Sequence, residues 1–135
     1  MRDSYSLQVL LRAVWKFAHE EYLYTAAVRS TPTGRQSDDL RRQAKEQKDQ
    51  GHIETSYRLY EDALRLHAAA DDGAAAAGAR HDLAEILTDR RLGMPVENFL
   101  RAESLYRRAQ QSAERERFPS RSAMTKASLA SCLRG

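Results

Sequence analysis

The residues best suited to metal ligation or nucleophilic catalysis are four histidines, His19, His52, His67 and His81, and a single cysteine, Cys132. A zinc-binding helix needs two histidines four residues apart on one face. No pair here has that spacing. His19-Glu20 starts like the zinc-protease pattern, but position 23 is Leu, so the second ligand is missing. A Cys/His dyad would have to use Cys132, in the last turn of the chain, a poor place to exclude water from a reaction. Gly73 and Gly78 flank the start of an alanine-rich helix and lack the lysine of a phosphate loop. The expectation is a protein that is not an enzyme and requires neither cofactor nor metal.

Charge and composition narrow the alternatives. The 135 residues are enough for one domain, and 41% hydrophobic with 30% charged residues excludes a disordered tail. A net charge of +3 arises from 22 basic residues set against 19 acidic ones, the balance of solvated helical faces rather than a nucleic-acid footprint. With one cysteine no intrachain disulfide can form, which fits a reducing compartment. The most apolar stretch, Tyr5 to Val28, is interrupted by Arg12, Lys16, His19, Glu20 and Glu21. It therefore reads as neither a membrane span nor a signal peptide, and a cytoplasmic protein without membrane contact is expected.

The elements that would position any site are helices. Alanine supplies much of the apolar fraction, and it favours helices that pack closely. Six are expected: Ser4–Arg29, with Leu7, Leu10, Leu11, Val14, Phe17 and Ala18 on its apolar face; a polar helix capped by Ser37 and Asp38 and running to Gln50; His52–Ala70, ended by Asp71-Asp72-Gly73; Ala74–Arg90; Val96–Arg115; and Pro119–Leu133. Thr31-Pro-Thr-Gly34 is expected to break the chain between the first two.

Internal repetition organises these helices. Leu59, Tyr60 and Ala63 recur at an offset of 46 as Leu105, Tyr106 and Ala109; Leu83, Ala84 and Leu87 recur as Leu129, Ala130 and Leu133. One helix carrying Leu-Ala-x-x-Leu thus alternates with one carrying Ala-x-x-x-Tyr-x-x-Ala. The alanines suit the closest approach of two helix backbones, and the tyrosine ring fills the space beside them.

Ala44, Ser56, Tyr60 and Ala63, with Gly51 in the intervening turn, give a pattern that resembles the tetratricopeptide repeat, a helix–turn–helix unit of about 34 residues. The second unit is longer: Ala84 and Ala102 are separated by TDRRLGMPVEN, in which Gly93 can cap one helix and Pro95 can begin the next. Gly93, Glu97, Asn98, Phe118, Pro119, Ala123, Met124, Thr125 and Leu129 are similar to the tetratricopeptide arrays that accompany CHAT domains, the caspase-related peptidases. Ser122 departs from that pattern, where an aromatic residue is expected. Only repeat-like segments are involved, so the resemblance implies no peptidase activity.

The resemblance, which covers about Gly51 to Gly135 and leaves Met1 to Ser37 outside, implies a short right-handed α-solenoid, and with the helices above it gives a single all-α domain over 1–135. Its parts are an N-terminal helix (1–30), a first repeat (37–72), a second (73–117), and a half repeat or capping helix (118–135). It also implies a groove lined by the first helix of each pair, placing Arg41, Arg42, Lys45 and Lys48 beside His81, Glu85 and Asp89. That row of cations suits an acidic peptide or partner helix. Arg107, Arg108, Arg115 and Arg117, mixed with Glu114 and Glu116, read instead as an ordinary solvated face. The aromatic first helix reads either as a cap folded on the first pair or, through Trp15 and Tyr22, as a surface for a partner or a second copy. Leu129 and Leu133, on the open edge of the incomplete third repeat, form another such surface. The function expected is a non-catalytic protein–protein interaction module, an adaptor or scaffold. The alternative is a nucleic-acid-binding helical domain using the basic Arg41–Lys48 face.

Overall fold

The described residues form six α-helices and one 3-10 turn. The computed structural model describes residues 2–67, 73–93 and 95–134. The helices are α1 (Arg2–Val28), α2 (Pro32–Asp49), α3 (Ile53–Arg65), α4 (Ala74–Leu87), α5 (Val96–Arg115) and α6 (Pro119–Arg134), with the 3-10 turn at Arg90–Leu92. No strand occurs among the described residues, so the all-α expectation holds. No helix among them is long and apolar enough to cross a membrane.

Three boundaries differ from the sequence reading, one of them the end of the third helix, which stops at Arg65 with Leu66 as its C-cap rather than running to Ala70. Thr31-Pro32 does not delay the second helix; it starts it. Proline is tolerated in the first helical turn because its missing N–H has no partner there. The Thr31 hydroxyl accepts the Gly34 N–H at 3.0 Å and caps the helix. Ser37, expected as the cap, is instead buried and donates its hydroxyl to the Ala63 carbonyl at 3.3 Å. The fourth helix stops at Leu87, three residues early, because Asp89 caps the 3-10 turn through the Arg91 N–H and Gly93 closes it at φ 99°. Asp71 and Asp72, expected to end the third helix, lie outside the described residues, and Gly73 stands at the start of α4 in extended conformation.

The repeated small residues do the packing expected of them. Ser56 donates to the Ala44 carbonyl at 2.7 Å, while Ser37 reaches Ala63. An early residue of α2 thus meets a late one of α3 and the reverse, so the two helices run antiparallel. Gly51 makes the reversal possible, holding φ 85° where a side chain would be strained. Ala44, Ser56, Tyr60 and Ala63 are buried, as are their second-unit counterparts Ala84, Ala102, Tyr106 and Ala109.

Contacts between units sort the helices into two layers. Arg41 on α2 reaches Asp82 on α4, and His81 on α4 meets Thr125 on α6 at 2.9 Å. On the other side, Arg101 of α5 binds Glu61 and Tyr57 of α3. The layers are therefore α2, α4 and α6 against α3 and α5. Their shared core contains Ile53, Tyr60, Leu83, Ile86, Leu87, Tyr106 and Leu129. Leu129 is 7% exposed, so its expected place on an open surface is corrected: the second pair already covers it. Leu133, one turn further on, is 56% exposed, whereas its repeat counterpart Leu87 is buried.

The last third of α1 is fixed to this body. Tyr24 and Val28 are buried with Ala74 and Phe118, and the Tyr24 and Phe118 rings meet edge-on at 5.4 Å between centroids. Gly78 permits the approach. A Cβ there would lie 2.1 Å from Tyr24 Oη and 2.6 Å from Arg41 Nη1. The helix therefore rests on α4 and the start of α6 more than on the first pair.

Candidate interaction surfaces

The groove between α2 and α4 gathers most of the expected residues. Arg41, Arg42, Lys45, Lys48, His81 and Glu85 line one concavity with Asp38, Asp49, Tyr60, Asp82, Arg121 and Met124, enclosing about 370 Å³. Asp89 is not among them. Its carboxylate is held by Arg91 at 2.9 Å and caps the 3-10 turn.

The charges in the groove are largely neutralised from within. Arg41 Nε lies 2.6 Å from Asp82 and Lys48 Nζ 3.1 Å from Glu85, while Arg42 binds Asp38 and Asp39 at 3.1 and 2.5 Å. Burial works against the charge of Arg41, but Asp82 more than offsets it, and its guanidinium is held protonated above the ordinary arginine range. The His81 ring, with Nε2 3.6 Å away, and then the Lys48 ammonium at 3.1 Å draw the Glu85 carboxyl down to about 2. Burial pushes the phenols of Tyr60 and Tyr106 upward, so both remain neutral. Among the described residues, Lys45 is the one of the five lysines and arginines of the groove that makes no ion pair. An acidic ligand entering here would compete with carboxylates already in place, and each exchange of one partner for another yields little.

His81, Asp82 and Glu85 bring potential metal-ligand atoms within 4.8 Å of one another. Their charges are compensated by Arg41 and Lys48, and His81 also meets Thr125. The cluster is the middle of an ion-pair network that ties α2, α4 and α6 together.

A different surface stands out on α1. Every residue from Ser4 to His19 is exposed. Leu7, Val9, Leu10, Leu11, Val14, Trp15 and Phe17 lie in that stretch, with Leu10 at 60% and Trp15 at 66% exposure. Single exposed apolar residues are ordinary on a protein surface, but the run from Leu7 to Phe17 exposes seven large ones within about three turns. Trp15 stacks on His19 at 5.1 Å, which leaves the other ring face open, and Tyr22 is also exposed.

The arm is held at a defined angle. Phe118 occupies the cap position of α6 and has no side-chain oxygen to offer, so Glu20 supplies one from a distant part of the chain. Its Oε1 accepts the N–H groups of Ser120 at 2.8 Å and Arg121 at 3.2 Å. A carboxylate at a helix N-terminus satisfies orphan donors and complements the helix dipole. Next to it, Glu21 binds Arg121 at 2.7 Å, and the Arg121 guanidinium lies 3.9 Å from the Tyr24 ring centroid. α1 therefore leaves the body as a continuous helix, and the docked turns spare the exposed ones the cost of nucleation.

The chain matches no family model, no curated protein and no solved structure. Its surfaces carry the functional reading on their own. Glu20, Glu21, Asp82 and Arg121 escaped the sequence reading. Phe118-Pro119 contained a signal for the first of them, because a helix that begins after a phenylalanine needs a cap from elsewhere.

Proposed function

We propose that this protein is a non-catalytic protein–protein interaction module, built as a short tetratricopeptide-like α-solenoid, that engages its partner chiefly through the exposed face of α1. The observation that carries this reading is the apolar row from Leu7 to Phe17, presented on a helix whose base is locked by Glu20 and Tyr24. Covering the exposed half of a leucine side chain contributes about 1 kcal/mol, so binding draws on several residues of the row together. The tetratricopeptide reading draws on the 46-residue offset and on the matched burial of Tyr60 with Tyr106 and Ala63 with Ala109. The groove is a secondary surface, with Lys45 as its unpaired cation. A nucleic-acid partner is less favoured, since Arg41, Arg42 and Lys48 already neutralise carboxylates of the chain.

Affinity capture with the wild-type chain and with a Leu10→Glu/Val14→Glu variant tests this reading. A protein retained by the first and lost with the second is expected. Identical retained proteins would overturn the assignment to α1.

A further inference from the structure

The exposed and the docked parts of α1 belong to one seam. Leu7, Leu10, Val14, Phe17, Glu21, Tyr24 and Val28 follow one another at alternating steps of three and four residues. That is the heptad spacing by which one helix keeps a single stripe toward another. The C-terminal half of the stripe is occupied: Tyr24 and Val28 are buried against the body, and Glu21 is paired with Arg121. The N-terminal half, Leu7, Leu10, Val14 and Phe17, faces nothing among the described residues.

We propose that the unoccupied half of this seam pairs with the same half of α1 from a second copy, antiparallel, giving a two-fold dimer. This rests on the reading of α1 as the docking element and names its partner. Antiparallel heptad pairing sets each residue of the first apolar position against one of the second. About a two-fold axis near position 12, Leu7 then meets Phe17 of the other copy and Leu10 meets Val14, a larger side chain against a smaller one in each case. Shape is thus complementary without any third component, as an isologous interface requires.

Charge and area agree. Between Leu7 and Ala18 the only charged residues are Arg12 and Lys16, and both fall on the side of the helix opposite the stripe. Pairing therefore buries no charge. A parallel pair would set Glu21 against Glu21 and crowd both bodies at one end, whereas the antiparallel pair places the bodies at opposite ends. With more than half of each side chain exposed, Leu7, Leu10, Val14 and Phe17 on the stripe and Leu11 beside it offer roughly 500 Å² per copy. A pair would bury about 1,000 Å² in all, the size of a weak, transient interface. The dimer is accordingly one of micromolar strength.

Sedimentation equilibrium on the full chain tests the pairing. The apparent mass should rise from 15.3 kDa toward twice that value as the concentration climbs to about 200 µM. Leu10→Glu/Val14→Glu should remain at the monomer mass with an unchanged helical spectrum, since neither position touches the body. In a Cys132→Ser background, mixing Leu7→Cys with Phe17→Cys chains should give the mixed disulfide in preference to either self-linked product. A wild-type chain that stays monomeric overturns self-pairing, and if it still captures another protein through α1, the wider reading stands. An assembly that the double variant leaves intact, or self-linked Leu7→Cys as the main product, also overturns the proposal.

Discussion

The carboxylate of Glu20 caps a helix that begins almost a hundred residues later, accepting the Ser120 N–H at 2.8 Å. One side chain thereby serves two purposes. It completes the N-terminus of α6, and it fixes the point at which α1 parts from the body. Glu20→Ala should destabilise the fold by about 1 kcal/mol, or about 3 °C in Tm for a chain of this size. Chemical denaturation of the two chains measures the difference. An unchanged midpoint would mean that the cap contributes nothing and that Tyr24 alone holds the arm.

Gly78 offers a sharper test of how the arm is seated. In an ordinary exposed helix, Gly→Ala stabilises by about 1 kcal/mol. Here the added methyl would be driven into Tyr24 Oη, on a buried ring, and Arg41 Nη1, on a side chain only 12% exposed. Overpacking of that kind costs about 1–3 kcal/mol. Gly78→Ala should therefore come out destabilising by about 1 kcal/mol in a urea unfolding series, the net of overpacking and helix propensity. A stabilised variant would show that α1 does not rest on this glycine.

Much of the helical scaffold is legible in the sequence because it is written in local periods. The Tyr60/Tyr106 and Ala63/Ala109 correspondence survives as matched burial, and Gly51 turns the chain where its type suggests. Contacts between distant segments are not legible in this way. The cations of Arg41 and Lys48 are visible in the sequence, but the carboxylates that neutralise them, Asp82 and Glu85, lie 41 and 37 residues away. The incomplete repeat puts Leu129 on an open edge, yet Tyr106 and its neighbours already bury it. Ser37 has the composition of a cap, but Thr31-Pro32 is nearer the end of α1 and forms the cap first. Both Trp15 and Tyr22 stand exposed, as a surface role for the first helix requires.

Site-specific photo-crosslinking tests most directly whether the arm or the groove is the docking surface. A photoreactive side chain is placed at position 10 or 14 in one set of chains and at position 45 in another, and each is irradiated in extract. Protein adducts from positions 10 and 14, with few or none from position 45, are the expected result. Adducts confined to position 45 would contradict docking through α1 and return the groove beside Lys45 to first place.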